Sequence, residues 1–167
     1  MKLSIILQEV ILPTNLKILL GRLKDDGYTV LGSGDNGIAL QKGSKVLKLT
    51  TDVDELEHAK KLIKHSFPSI IPINNVEVLG PKSGIIEMVD AQPLTQAEKR
   101  EIEIQGLNAE DYLFHGRELS DSLSDKMKEF LIGLKEAFTK SGIDPEEIDW
   151  SSDNIMNFQG RYVLVDV

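Results

Sequence analysis

Cysteine is absent from the 167-residue sequence. That absence excludes a disulfide-stabilised scaffold, a zinc site with cysteine ligands and a thiol nucleophile. A chain without cysteine is also typical of a reducing compartment, so we expect a cytoplasmic protein.

Excess positive charge and long hydrophobic runs are missing as well. Lys and Arg number 19 against 27 Asp and Glu, which gives a net charge of −8. Because nucleic-acid phosphates attract clustered cations, this balance predicts no nucleic-acid partner. No apolar run approaches the roughly 18 residues that a membrane span needs, so no membrane partner is expected. Gln8 and Glu9 interrupt the apolar N-terminal stretch, which therefore does not read as a signal peptide.

The first half of the chain is dominated by the two-residue period of strands. A helix is predicted over 16–24, with Asn15 as its N-cap, and a second helix is predicted over 52–65. Residues 3–12 fit either a strand or a short helix. Strands are predicted over 28–31, 37–42, 45–50, 70–79 and 84–88.

The second half has a different pattern. Thr95-x-x-Glu98 is a capping box that predicts a short polar helix, and 104–121 have no clear pattern. Residues 124–141 carry the clearest amphipathic stripe in the chain, and Gly142 is placed to end that helix. A hairpin over 154–165 is predicted to turn at Gln159-Gly160. We therefore expect two domains, a β-rich one over 1–88 and a helical one over 89–167.

Gly32, Gly34 and Gly37 satisfy the pattern G-x-G-x-x-G. One interpretation is a turn that needs positive φ angles. A dinucleotide fingerprint is a second, but it requires a helix directly after the glycines, and here a hairpin pattern follows. A third is a β-turn-β flap over nucleotide phosphates, which requires a lysine on the next strand facing the same side.

Lys48 meets that requirement if Gly43-Ser44 forms a two-residue turn. Ala39 then lies opposite Lys48, and Gln41 lies opposite Val46. Because side chains alternate between the faces of a sheet, Ala39, Val46 and Lys48 share one face. Two small apolar groups beside an ammonium suit an adenine ring next to a phosphate.

With these motifs the sequence resembles the protein-kinase-like family, over about residues 28–167. Val46-Leu47-Lys48 is similar to the family's V-A-I-K strand, and the resemblance implies a glutamate on the next helix to hold Lys48. Glu57 is the first choice by spacing and Glu55 the second. Residues 86–89 resemble the hinge, where the Glu87 carbonyl and the Val89 amide would pair with adenine and Ile86 would lie at the back of the pocket.

The stretch 149–154 matches D-x-x-x-x-N, the catalytic loop of that family. By resemblance, Asp149 would be the catalytic carboxylate, and Asn154 and Asp166 would hold Mg²⁺. The cofactors implied are ATP and Mg²⁺. The fold implied is α+β: a protein-kinase-like two-lobed fold, with an antiparallel-sheet N-lobe containing one helix and a shortened helical C-lobe.

The sequence departs from the family in several places. Glu147-Ile148 stands where the family has His-Arg, Val167 replaces the Phe of D-F-G, and no activation segment follows. The first hypothesis is a phosphotransferase acting on a protein or small-molecule hydroxyl. A pseudokinase-like module that binds nucleotide or docks to a partner is the alternative, and a fragment of a longer kinase is a third reading.

The shortened helical lobe also predicts a partner surface. Further helices cover the 124–141 helix and the 154–165 hairpin in full-length family members. If nothing covers them here, several large apolar side chains are exposed, at a cost of roughly 1.5–3 kcal/mol each. We therefore expect self-association or a partner protein at this lobe.

Overall fold

Alternating apolar residues in the first half of the chain form a five-stranded antiparallel sheet. The computed structural model describes residues 12–149 and 151–166, and the fold is α+β. The spatial order of the strands is β1-β2-β3-β5-β4. They are β1 Thr29–Gly34, β2 Gly37–Lys42, β3 Lys45–Thr50, β4 Ile73–Gly80 and β5 Ser83–Val89.

Four α-helices and a second, two-stranded antiparallel sheet complete the described elements. The helices are α1 Thr14–Asp25, α2 Val53–Leu62, α3 Gln96–Phe114 and α4 Asp125–Ser141. The small sheet consists of β6 Ile155–Phe158 and β7 Arg161–Leu164. Short 3₁₀ turns lie at Pro145–Glu147 and Ser152–Asn154. No helix in the described ranges is long and apolar enough to cross a membrane.

The chain divides into two compact units. The first contains the described residues up to Ala59 together with Ile73–Asp90, which is the five-stranded sheet with α1 and most of α2. The second contains Lys60–Pro72 and the described residues from Ala91 onward.

The core of the first unit lies between α1 and one face of the sheet. Leu12 and Leu16 pack with Ile38 and Leu40 of β2 and with Leu49 of β3. The helix therefore braces the sheet. α1 begins at Thr14 rather than Leu16, so Asn15 lies inside the helix and its amide donates to the Ser83 hydroxyl instead of capping.

Helix α2 approaches the sheet closely at Gly84. A Cβ on Gly84 would lie 2.6 Å from a methyl carbon of Leu56 and 2.6 Å from the Glu77 carbonyl oxygen. Only glycine leaves room for Leu56 at that position, which fixes how α2 and the residues on it lie against β5.

The core of the second unit is built around α4. Ser124 caps this helix through its hydroxyl, and Gly142 ends it in the left-handed conformation, as predicted. Phe130 packs edge-on against Tyr162 of β7, and α3 contacts α4 as well. The apolar stripe is consequently buried, comprising Met127, Phe130, Leu131, Leu134, Ala137 and Phe138.

This burial corrects the expected partner surface. The stripe of α4 was predicted to be exposed, but α3 and the β6–β7 hairpin cover it within the same unit, and Ile155 and Val163 of the hairpin are buried as well. The physical ground for expecting self-association at that face is therefore absent.

Helix α3 is much longer than the short polar helix predicted. The Thr95–Glu98 capping box is present, but the helix then runs on to Phe114. Its buried residues, Ile102, Ala109 and Leu113, are too widely spaced to give a visible stripe. The interpretations of residues 3–11 and of Val167 concern positions outside the described residues.

Candidate functional site

The glycine motif forms the tip of the β1–β2 hairpin. Gly32 and Gly34 lie on β1, Gly37 opens β2, and Asp35-Asn36 makes the turn between them. A strand follows the glycines, so the dinucleotide interpretation is wrong. The positive-φ interpretation is also wrong, because none of these three glycines adopts a positive φ.

The three glycines differ in the space around them. At Gly37 a Cβ would overlap the carbonyl oxygen of Leu49, so glycine is required for the approach of β3. A Cβ at Gly32 or Gly34 would meet nothing within 4 Å. The β1 side of the hairpin is thus open and exposed, which leaves backbone groups accessible to a ligand.

The tip of this hairpin is tied to the start of α2. The Asn36 carbonyl accepts from the Thr51 backbone N–H at 2.7 Å, and the Asn36 amide donates to the Asp52 carboxylate at 3.3 Å. The other oxygen of Asp52 accepts from the backbone N–H groups of Asp54 and Glu55, so Asp52 caps α2. One aspartate therefore connects the hairpin tip to the helix.

Lys48 lies where the strand register predicted. Ala39 pairs with Lys48 and Gln41 pairs with Val46, and Gly43 has a φ of +61° in the two-residue turn. Across β5, Ile86 is the partner of Lys48 and is buried. Ala39, Lys48 and Ile86 therefore form a row across three neighbouring strands.

Glu55 is the carboxylate that pairs with Lys48. The Lys48 Nζ lies 2.5 Å from Glu55 Oε1, and the two side chains are 19% and 6% exposed. Glu57, the first choice from the sequence, lies on the exposed side of α2. Glu55 rather than Glu57 forms the ion pair because the capping bonds of Asp52 help to set which side of α2 faces β3.

Thr50 is a member of this group that the sequence analysis missed. Its side chain is fully buried, and its hydroxyl donates to Glu55 Oε2 at 2.7 Å. The signal that would have found it is position: Thr50 is two residues after Lys48 on the same strand, and therefore on the same face.

The predicted hinge residues belong to strand β5 rather than to a linker. Val89 pairs with Lys45 and Glu87 pairs with Leu47. The Glu87 carboxylate accepts from the Lys45 ammonium at 2.8 Å, and this hydrogen bond raises the pKa of Lys45. Pairing of Glu87 and Val89 with adenine stays a prediction.

Three further predicted residues lie within the second unit. The Asn154 amide donates to the Asp149 backbone carbonyl and to its Oδ2, each at 3.2 Å. The backbone N–H of Val165 donates to the Asn154 carbonyl at 2.9 Å, which places Asp166 next to a residue paired with Asn154. The hairpin turn at Gln159-Gly160, with φ angles of +52° and +82°, brings the chain back to make this pairing.

Helix α3 holds the loop that carries Asp149 and Asn154. The Lys99 ammonium donates to Asp153 at 2.8 Å, and the Ser152 hydroxyl donates to Glu103 at 3.4 Å. Both contacts fall on the 3₁₀ turn between Asp149 and Asn154, so the helix that the sequence underestimated supports the predicted catalytic loop.

Glu98 connects α3 to α4 and to β6. Its carboxylate closes the capping box with Thr95 and accepts from Lys126 of α4 at 2.7 Å and from the Asn157 amide of β6 at 3.1 Å. The Lys126 hydrogen bond, together with the Thr95 backbone, lowers the pKa of Glu98 to about 2. The carboxylate is therefore ionised under ordinary conditions and fixes α3 to α4 and β6.

Metal-ligand chemistry is limited in the described part of the chain. No cluster of three His, Cys, Asp or Glu side chains is placed there to hold a metal ion. Asn154 and Asp166 supply oxygen donors, and since the Asn154 NH₂ faces Asp149, its amide oxygen is the free end of the group. Two oxygen donors fit Mg²⁺, which keeps several waters and takes its other ligands from substrate phosphates.

Comparison with solved structures found nine similar chains, two of which are structures of an aminoglycoside phosphotransferase. The crystal structure of aminoglycoside phosphotransferase APH(4)-Ia aligns with 92% of this chain and 70% of its own, at 13% identity and a TM-score of 0.45. A thermostable mutant of that phosphotransferase, in a ternary complex with AMP-PNP and hygromycin B, aligns with 92% and 71%, at 10% identity and a TM-score of 0.44. No family model and no curated protein matched the sequence.

Proposed function

We propose that the protein is an ATP-dependent phosphotransferase that moves the γ-phosphoryl group to a hydroxyl of a small molecule or a protein. The observation that carries the proposal is the Lys48–Glu55 ion pair on the strand after the glycine hairpin. A largely buried carboxylate holds the ammonium in one place, as recognition of the α- and β-phosphates requires.

The nucleotide is assigned to the first unit. Gly32, Gly34 and Gly37 would lie over its phosphates, because the open side of the hairpin exposes backbone N–H groups. Ala39 and Val46 would contact the adenine ring, and Lys48 would bind the phosphates. The Glu87 carbonyl and the Val89 amide are the proposed partners of the adenine edge.

The reaction is assigned to Asp149. Its carboxylate would accept the proton of the acceptor hydroxyl while the hydroxyl oxygen attacks the γ-phosphorus. The bond to the β–γ bridging oxygen breaks, and ADP leaves with that electron pair. Asn154 holds the Asp149 carboxylate through its NH₂ group and would orient it toward the acceptor.

Asn154 and Asp166 would hold Mg²⁺ through oxygen atoms. Mg²⁺, when bound, neutralises charge on the phosphates. In this chain, the Val165–Asn154 backbone bond and the β6–β7 register keep the two donor residues in fixed relation to each other.

The proposal is tested by thermal unfolding with nucleotide. A ligand that binds only the folded state at about 100 times its Kd stabilises by about 2.7 kcal/mol, which is roughly 5–10 °C for a chain of this size. We expect ATP with Mg²⁺ to raise the Tm by this order and Lys48→Ala to remove most of the shift. Lys82→Ala, an exposed lysine in the β4–β5 turn, is the matched control and should keep it.

Two outcomes would change the conclusion. If saturating ATP, ADP and GTP all leave the wild-type melting curve unmoved, the nucleotide assignment is wrong. A full Tm shift without phosphoryl transfer to any hydroxyl acceptor would instead indicate the pseudokinase-like alternative.

A further inference from the structure

We propose that Thr50 is a positioning residue that holds Glu55 in its ion pair with Lys48 and links that pair to the tip of the glycine hairpin. The inference deepens the proposed function, on which it rests, by adding a residue outside the motifs of the sequence analysis. It is carried by hydrogen-bond geometry within the first unit.

The two oxygens of Glu55 are held by different partners. Lys48 Nζ lies 2.5 Å from Oε1, and the Thr50 hydroxyl lies 2.7 Å from Oε2. With one oxygen held from each side, the carboxylate cannot rotate about its terminal torsion without breaking a charge-assisted bond.

The direction of the Thr50 hydroxyl is itself determined. Its oxygen accepts from the backbone N–H of Asp52 at 3.0 Å, which occupies one lone pair. Two acceptors then compete for its single proton, Glu55 Oε2 at 2.7 Å and the Asn36 carbonyl at 3.4 Å. The shorter contact to a charged acceptor is the stronger one, so the proton lies toward Glu55.

Thr50 also lies at the junction with the glycine hairpin. Gly37 is its register partner on β2, and the neighbouring Thr51 donates to the Asn36 carbonyl from its backbone N–H and from its hydroxyl, at 2.7 and 3.0 Å. A displacement of the hairpin tip is therefore transmitted to the residues that hold Glu55.

Removing the Thr50 hydroxyl should loosen the ion pair without unfolding the sheet. Glu55 Oε2 would lose this donor inside a buried site, so the carboxylate would spend part of its time away from Lys48. A lysine that is less firmly paired leaves its partly buried position more often, so its amine is more accessible to a reagent in solution. It would also be less well placed for phosphates.

Thr50→Val is the main test variant because valine keeps the shape and removes the hydroxyl. Thr50→Ser, which restores the donor, is the conservative rescue. Thr29→Val is the matched control, since it removes a strand threonine hydroxyl that donates to the Gln41 carbonyl and has no part in holding Glu55. Glu55→Gln is the reference for a broken ion pair.

The first measurement needs no nucleotide. The protein is labelled with a limiting amine-reactive reagent, and modification of Lys48 is followed by mass spectrometry. We expect Thr50→Val to label several-fold faster than wild type, approaching Glu55→Gln, whereas Thr50→Ser and Thr29→Val stay within about twofold. Equal labelling of Thr50→Val and wild type would overturn the proposal.

The second measurement is the Kd for ATP with Mg²⁺, which should rise about tenfold in Thr50→Val and recover in Thr50→Ser. Thr50→Ala repeats both measurements if the valine variant does not fold. If neither folds, Thr50 is a stability residue and the positioning role is rejected. Absence of nucleotide binding by wild type would overturn the proposed function, whereas the labelling rates judge Thr50 in either case.

Discussion

Asp149 is exposed on its loop, and its carboxylate is held by the side-chain amide of Asn154 at 3.2 Å. That arrangement suits a group that must meet an acceptor hydroxyl while being kept in one orientation. Because Lys48 and residues 86–89 belong to the other unit, the proposed tasks of binding nucleotide and activating the acceptor fall to separate groups of residues.

Asp149→Ala is therefore predicted to separate chemistry from binding. Loss of a general base costs roughly 10²–10⁴ in rate, so phosphoryl transfer should fall by that factor. The Tm shift with ATP and Mg²⁺ should be nearly unchanged. Asp121→Ala, another exposed aspartate of the second unit, serves as the control. Equal rates in wild type and Asp149→Ala would remove the catalytic assignment.

Glu98 makes the stability of the second unit depend on pH. Its pKa is about 2 in the folded protein, below the ordinary value of 4.5. A lowered folded pKa gives stability that is present above pH 4.5 and is lost as the pH falls toward 2. Glu98→Gln should cost about 1 kcal/mol at pH 7, and the difference from wild type should shrink below pH 4.

The measurement is denaturant unfolding of both proteins between pH 7 and pH 2.5. Glu110 lies on the exposed side of the same helix, so the Glu110→Gln variant should show no such pH dependence. A Glu98→Gln deficit that stays constant across the range would show that the charge of Glu98 is not what stabilises the unit.

At the scale of elements, the hairpins and three of the four described helices were predictable, whereas the length of α3 and the orientation of α2 were not. The β2–β3 register follows from one two-residue turn and the alternation of apolar residues, and both are local. The choice between Glu55 and Glu57 is not local. It depends on where α2 begins and on its rotation, and these are set by Asp52 and by the contact of Leu56 with Gly84.

Helix α3 shows a second limit of prediction from the sequence. Its capping box fixed the first turn, but its sparse buried residues gave no stripe to follow. Its far end is held by a contact distant in sequence, that of the Lys135 ammonium with the carbonyl and ring of Tyr112. The exposed apolar residues Ile104 and Leu107 obscure the helical spacing of the few buried ones.

The fit of α2 on the sheet is tested by Gly84→Ala. The new methyl group would meet Leu56 and the Glu77 carbonyl at 2.6 Å, so we expect a loss of about 1–3 kcal/mol from overpacking. Gly21→Ala is the control with the opposite sign. It lies in α1 with nothing within 4 Å, and alanine there should add about 0.5–1 kcal/mol.

Both free energies come from the same denaturant titration. A Gly84→Ala protein as stable as wild type would mean that α2 can shift away from β5 at no cost. The Lys48–Glu55 pair would then not be fixed by that packing.

For the whole molecule, a net charge of −8 should make stability sensitive to salt. Self-repulsion acts over the Debye length, about 30 Å at 0.01 M and about 8 Å at 0.15 M ionic strength. The Tm at pH 7.5 should therefore rise between 0.01 and 0.15 M NaCl. Near the isoelectric point of about 4.9 the net charge vanishes, so the rise should be lost there.

Differential scanning calorimetry at the two pH values provides the comparison. A fall in Tm with salt at pH 7.5 would show that attractive pairs, such as Lys126 with Glu98, outweigh the general repulsion.

The tight turn at Gln159-Gly160 determines which residues of β6 and β7 pair, and thereby where Asp166 lies relative to Asn154. Four residue pairs join β6 to β7, and each is counted outward from that turn. Adding one residue to a strand would send every later side chain to the opposite face, Asp166 among them. Insertions near residue 160 should therefore abolish metal-dependent nucleotide binding even when the protein folds. The loop around Gly116 should accept the same insertion with little effect, so a scan of single-residue insertions would show where the length of the chain matters for nucleotide binding.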